Sequence, residues 1–163
     1  MENKSINVVL FAGGRGSTSI SKVLNNHEQV DLSVIVNAYD DGLSTGRLRK
    51  FIPGMLGPSD LRKNICSLMP TSFPNQNALN KLLELRLPDK ISNNIGRAYL
   101  NLLCGNMHDV PKELDELNKI YSEINLKSSY LISKWANIFL DYDKNHNLDF
   151  DYGDASLGNI IFC

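Results

Sequence analysis

The chain has 163 residues, 42% hydrophobic and 21% charged, with a formal net charge of -1. That is the composition of an ordinary globular domain, long enough to bury a core, and it excludes the disordered and fibrous classes. Near-neutral charge gives no electrostatic reason to expect nucleic acid or a membrane surface as the main partner.

Ile6 to Phe11 is a short apolar, β-branched run ending in Ala12-Gly13-Gly14, and it predicts a buried strand. Ser17 or Thr18 can then cap a helix running to Asn25, with Ile20, Val23 and Leu24 on its apolar side. Leu32 to Asn37 reads as a second strand. Strand, glycine turn, helix and strand in roughly 30 residues make a βαβ unit, which implies a parallel sheet. The stretch from Phe51 to Pro74 is rich in Pro, Gly and Ser, with one short helix over Asp60–Leu68. Helical spacing then takes over. Ala78, Leu79, Leu82, Leu83 and Leu85 form one stripe, and further helices are predicted over Asn94–Leu103, from Pro111 through Ile124, and over Ser129–Leu140. Gly158–Cys163 has an apolar centre that suits either a strand or the start of a buried helix.

This order predicts an α/β fold: a Rossmann-like parallel sheet with a glycine-rich phosphate loop, then a mainly helical segment. Residues 6–70 would be the phosphate-binding core, 75–142 a helical insertion and 155–163 a return to the core. The apolar end would lie beside the sheet, so either a truncated domain or a partner chain covering that face is expected, with self-association as a consequence. Three scattered cysteines without a CxxC spacing, no leader-like N-terminus and no apolar run of membrane-spanning length make a reduced, cytoplasmic protein the expectation.

The chemistry concentrates in three motifs. Phe11-Ala-Gly-Gly-Arg-Gly-Ser-Thr18 sits between the first strand and its helix, where glycines allow close backbone approach and a helix start offers free N–H groups to a phosphate. A plain strand-to-helix turn is the alternative, because the strict dinucleotide pattern is incomplete and no Gly-Lys-Ser/Thr closes a P-loop. Gly13, Gly14, Arg15, Gly16 and Ser17 are its candidate binding residues.

Asn37-Ala-Tyr-Asp-Asp-Gly-Leu-Ser-Thr-Gly-Arg-Leu-Arg49 follows the second strand directly. Ligands of parallel sheets bind off the carboxyl ends of the strands, which sets this segment beside the glycine turn. Asp40 and Asp41 are the candidate catalytic and metal-binding pair, able to orient a hydroxyl or hold Mg²⁺. Ser44, Thr45, Gly46 and Arg47 are candidates for phosphate oxygens, although Asp, Gly and Ser also make ordinary surface turns. In Gly57-Pro-Ser-Asp-Leu-Arg-Lys-Asn64, Ser59 or Asp60 can cap a helix, or Asp60, Arg62 and Lys63 can face the same ligand.

Gly-Gly-x-Gly, Asp-Asp-Gly-x-Ser-x-Gly-Arg-Leu-Arg and Asp-Leu-Arg together resemble the 2-phospho-L-lactate transferase superfamily, which includes gluconeogenesis factor-like proteins that bind nucleotide sugars. The resemblance covers residues 6–70, and Leu157-Gly158-Asn159 is similar to a later Ile-Gly-Asn segment. It implies that Gly13, Gly14 and Gly16 cradle a nucleotide diphosphate, that Asp40 and Asp41 face the acceptor or Mg²⁺, and that Asn159 lines the site. It also implies a nucleoside diphosphate conjugate or nucleotide sugar as partner. Transfer of a phospholactyl-type group to a hydroxyl, such as that of a deazaflavin, is one implied function; nucleotide-sugar binding without turnover is the other. The chain departs from the pattern at Arg15, Ser17 and Lys63, and lacks the histidine that precedes Ile-Gly-Asn.

Asp141–Asp149 imitates a calcium loop but has His146 where glycine is required and Tyr152 where glutamate belongs, so a solvated acidic linker is expected. His27, His108 and His146 are expected at the surface.

Overall fold

A computed structural model describes residues 5–40, 42–70, 72–146 and 148–163. Strands β1 (Ile6–Ala12) and β2 (Val30–Val36) form a parallel two-stranded sheet, in register from Ile6 opposite Val30 to Ala12 opposite Val36. Helix α1 (Thr18–Asn25) connects them, so the βαβ unit predicted from the apolar runs is present. Seven further helices follow among the described residues: α2 (Leu43–Phe51), α3 (Pro58–Leu68), α4 (Pro74–Glu84), α5 (Asn93–Leu103), α6 (Asp115–Ser122), α7 (Leu126–Asn145) and α8 (Leu157–Ile161).

The core lies among the helices. Leu48 and Phe51 of α2, Leu82 and Leu83 of α4, Leu100 and Leu103 of α5, Leu117 of α6, Phe139 and Leu140 of α7 and Ile160 of α8 are all buried in it. The sheet contributes only Ala12 to the buried hydrophobic residues. This corrects the expectation of a buried first strand: β1 alternates, with Val8 and Leu10 half-buried and Ile6, Val9 and Phe11 exposed, Phe11 at 78%. A pleated strand sends alternate side chains to opposite faces, and helices cover only one face of this sheet. A similar correction applies to α1. Ile20 and Val23 point to solvent, and the face turned inward carries Ser21, which is fully buried and donates its hydroxyl to the Ser17 carbonyl at 2.9 Å.

The end of the chain takes the helical one of the two forms its apolar centre allows, and only its expected place beside the sheet is corrected. Leu157–Ile161 is a buried helix packed against α2, α3, α4 and α7. It is delivered there by residues 152–157, which run alongside 85–88: Leu87 N–H donates to Ala155, and Leu157 N–H to Leu85. Asp154 turns this segment with a left-handed backbone (φ 51°), and Arg86 holds it through both the Asp154 carbonyl and carboxylate, at 2.7 and 2.6 Å. Asp tolerates that conformation better than most residues.

The expectation of a linker over Asp141–Asp149 is corrected for Asp141–Asn145, which belong to α7. Helix α7 continues through Asn145, and Asp143 is buried, pairing with Arg97 at 2.7 Å and accepting hydrogen bonds from the Tyr152 hydroxyl and the Phe150 N–H. His146, expected at the surface, instead packs half-buried against the rings of Phe51 and Tyr142, with centroids 4.8 and 5.2 Å away.

Candidate functional site at the carboxyl edge of the sheet

The register sets the geometry. Because Ala12 pairs with Val36, the Gly13–Ser17 turn and the segment from Asn37 leave the sheet at the same edge, and Asn37 N–H closes the ladder on the Ala12 carbonyl at 3.1 Å. Residues Arg15–Ser17 form one 3-10 turn that runs into α1.

Helix α3 braces this turn. Asn64 donates from Nδ2 to the Gly13 carbonyl at 2.8 Å and to the Asp60 carbonyl at 2.9 Å. Gly14 lies against the same helix: a Cβ there would sit 3.0 Å from Asp60 Oδ1 and 3.5 Å from Lys63 Nζ. Asp60 and Lys63 form an ion pair at 3.1 Å, with the Asp60 side chain almost wholly covered. The capping expectation is corrected here. Gly57 occupies the N-cap of α3 without a side-chain cap, Pro58 starts the helix, and Asp60 stands in the first turn, where the helix dipole favours a carboxylate.

On the second strand's side, Asp40 is held by its own chain. Its Oδ1 accepts from the Gly42 N–H at 3.2 Å and its Oδ2 from the Thr45 hydroxyl at 3.0 Å. Gly57 is required at this point by close approach, since a Cβ would fall 2.7 Å from the Asp40 carbonyl oxygen. Asp41 lies outside the described residues.

Residues 44–47, the candidates for phosphate oxygens, lie in the first turns of α2. Gly46 N–H is bonded to the Gly42 carbonyl at 2.6 Å and is no free anion donor. Thr45 is buried under Asp40, and the Ser44 hydroxyl accepts from Asn159 Nδ2 at 3.2 Å. Arg47 turns away to the segment before α8, pairing with Asp151 at 3.2 Å and donating to the Gly153 carbonyl.

Behind the site runs a buried relay. Arg62 donates from Nε to Asn159 Oδ1 at 2.8 Å and from Nη1 to the Leu83 carbonyl at 3.4 Å, and Asn159 passes on to Ser44. Gly158 lets the two elements meet, since a Cβ there would be 2.2 Å from the Leu83 carbonyl oxygen and 2.5 Å from Arg62 Cδ. Burial pushes the Arg62 guanidinium below its ordinary value, and arginine nonetheless remains charged in proteins. Arg62 and Asn159 therefore position α2, α3 and α8, one layer behind the turn and Asp40. The sequence motifs did not single out Asn64 as a site residue. Its signal was its spacing, four residues beyond Asp60 and so on the same helical face.

Among the described residues no three His, Cys, Asp or Glu side chains are grouped to hold a metal. Mg²⁺ does not need such a cage, because it commonly takes one or two carboxylates and completes its shell with water and substrate phosphate. Asp40 fits the role of one such ligand. Its two oxygens each accept one hydrogen bond, which leaves lone pairs on both.

The model of the family of 2-phospho-L-lactate transferase CofD matches residues 8–129. The chain belongs to that family. A protein of Aquifex aeolicus named "Putative gluconeogenesis factor" is 31% identical over 144 residues, 84% of this chain and 41% of its own length. A protein of the same name from Thermotoga maritima is 32% identical over 82 residues, 50% of this chain and 24% of its own length. The chain thus spans less than half the length of either relative. No solved structure is significantly similar. The family match covers β1 from Val8, all of β2, the Gly13–Ser17 turn, Asp40 and α3, and it ends before Asn159. No helix is long and apolar enough to cross a membrane among the described residues.

Proposed function

We propose that the chain carries the nucleotide-binding part of a 2-phospho-L-lactate transferase-like enzyme on a Rossmann-like framework. The observation that carries this reading is the shared sheet edge: the braced Gly13–Ser17 turn and the tethered Asp40 follow consecutive parallel strands, inside the region matched by the family. Parallel α/β sheets bind their ligands in that position.

In this reading the turn accepts the diphosphate of a nucleotide-activated donor through backbone N–H groups at the start of α1. The acceptor hydroxyl attacks the phosphorus that bears the lactyl group. The bond from that phosphorus to the bridging oxygen breaks, a nucleoside monophosphate leaves, and the hydroxyl proton passes to Asp40. Thr45 and the Gly42 N–H fix the carboxylate in place, which is the positioning that an in-line transfer requires. Mg²⁺, held by Asp40 together with Asp41, would offset the charge that develops on the diphosphate. Arg47 contributes to phosphate only by releasing Asp151.

A second reading, implied by the resemblance of the motifs to gluconeogenesis factor-like proteins, is a protein that binds a nucleotide sugar without transforming it; both relatives carry the name "Putative gluconeogenesis factor". Titration with GDP and with UDP-N-acetylglucosamine, each with and without Mg²⁺, separates the two. Guanine selectivity with Mg²⁺ dependence supports the transferase, and selectivity for the uridine sugar supports the sensor. Binding of neither would overturn both.

A further inference from the structure

A cavity of about 680 Å³ opens on the helical side of the turn, between α1, the C-terminal half of α3, and α4. Its size falls in the range of small-molecule sites and is far larger than a lone phosphate requires. Three cations reach it from three different elements: Arg15 from the turn, Lys22 from α1 and Lys63 from α3. Glu84 is the one carboxylate lining it among the described residues, and Lys63 is already paired with Asp60 of its own helix. Arg15 and Lys22 have no ion-pair partner among the described residues.

Two further groups meet the wall. Cys66 lines the cavity, and burial pushes its thiol up to about 11, so it adds no negative charge at neutral pH. Arg62 lies behind Cys66, buried and hydrogen-bonded to Asn159 and a carbonyl, with Glu84 of the cavity wall as the carboxylate that favours its charge. The remaining wall mixes Thr18 and Asn80 with the side chains of Leu68, Met69 and Pro70, which suits an organic group attached to the anion.

We propose that this cavity binds the phosphate monoester of a small organic molecule, with Lys22, Arg15 and Lys63 around the phosphate and Met69 and Pro70 against the organic part. The inference does not rest on the transferase reading. Asp40 does not line the cavity, and a chain without turnover would keep this site.

The test is titration with phenyl phosphate, with phenol and inorganic phosphate as comparisons, followed by backbone amide shifts in nuclear magnetic resonance. Phenyl phosphate should bind more tightly than either comparison, and the shifts should cluster on residues 15–26, 63–70 and 80–84. Lys22→Glu should weaken binding at least tenfold and Lys22→Arg should largely preserve it. Lys134→Glu, the same charge change on α7, should leave it unchanged, as should Asp40→Asn. No binding by the wild type, shifts centred elsewhere, or equal loss in the Lys22→Glu and Lys134→Glu proteins would overturn the assignment. Lys22→Gln provides a milder variant should the glutamate disturb α1, and full phenyl phosphate affinity in that folded protein would also count against the site. Failure of GDP binding with intact phenyl phosphate binding would remove the transferase reading and leave this one standing.

Discussion

Asn64, in the middle of α3, donates its side-chain amide to the carbonyl of Gly13 across 51 residues of chain, at 2.8 Å. That one bond fixes the turn after the first strand to the helix that faces it. Removing it leaves the Gly13 carbonyl in the turn short of a partner, which costs about 1–3 kcal/mol. Asn64→Ala should therefore lower stability by about that amount in urea denaturation and weaken nucleotide binding more than its stability loss alone explains. An Asn64→Ala protein with wild-type nucleotide affinity would show that the turn is set by other contacts.

Asp40 is tied by hydrogen bonds that Asn can largely imitate, with Oδ1 still accepting from Gly42. Asp40→Asn should accordingly shift stability by less than about 1 kcal/mol, as a lost local hydrogen bond does. It should abolish Mg²⁺-dependent nucleotide binding or transfer, since an amide neither accepts a proton nor holds the cation well. Thermal melts and a titration with and without Mg²⁺ measure both sides. Retained Mg²⁺ dependence would remove Asp40 from the site.

Much of this arrangement was legible in the sequence, for a physical reason. The strands, α1 and the helices from α4 onward announce themselves through apolar periodicity, which depends only on local geometry. Helix α2 did not. Gly42, Ser44, Thr45 and Gly46 are turn formers by composition, and the helix owes its existence to tertiary burial of Leu48 and Phe51, the latter packed tilted or edge-on among Phe139, Phe150 and Tyr142. The exposure of Ile20, Val23 and Phe11 was equally hidden, since pattern shows which face is apolar but not whether anything covers it. Partners far apart in the chain, such as Arg47 with Asp151 or Arg97 with Asp143, left no local signal at all.

Arg97 is the counter-charge to a fully covered carboxylate, Asp143, and also reaches Asp149 at 2.6 Å. Truncating it leaves Asp143 buried and unpaired. Arg97→Met should cost about 2–3 kcal/mol in chemical denaturation, below the range for wholly buried pairs because Arg97 keeps 25% of its side-chain surface exposed. A loss under about 0.5 kcal/mol would mean that the Tyr152 hydroxyl and Phe150 N–H suffice for the carboxylate.

The three thiols share one behaviour. Burial first of all raises Cys66 and Cys104 to about 11 and Cys163 to about 12, from an ordinary 9.0. Folded-state values above the unfolded one mean that the native chain holds protons the unfolded chain releases. The corresponding stability is present in full below pH 9 and is lost as pH rises towards 11–12. Melting temperature should fall between pH 9 and 11, and iodoacetamide should modify the native thiols at pH 8.5 much more slowly than those of the urea-unfolded chain. Equal alkylation rates in the two states would contradict the burial of these groups.

Gly13 and Gly16 test the central claim most directly, because a Cβ at either position would meet nothing within 4 Å. The fold has no use for a missing side chain there, whereas a phosphate lying against the backbone does. Calorimetric titration of the wild type and the Gly13→Ala/Gly16→Ala double variant with GDP and Mg²⁺ separates these demands. The account predicts a melting temperature close to wild type and a nucleotide affinity reduced at least tenfold. A variant that melts like the wild type and binds GDP as tightly would show that the diphosphate does not lie on this turn.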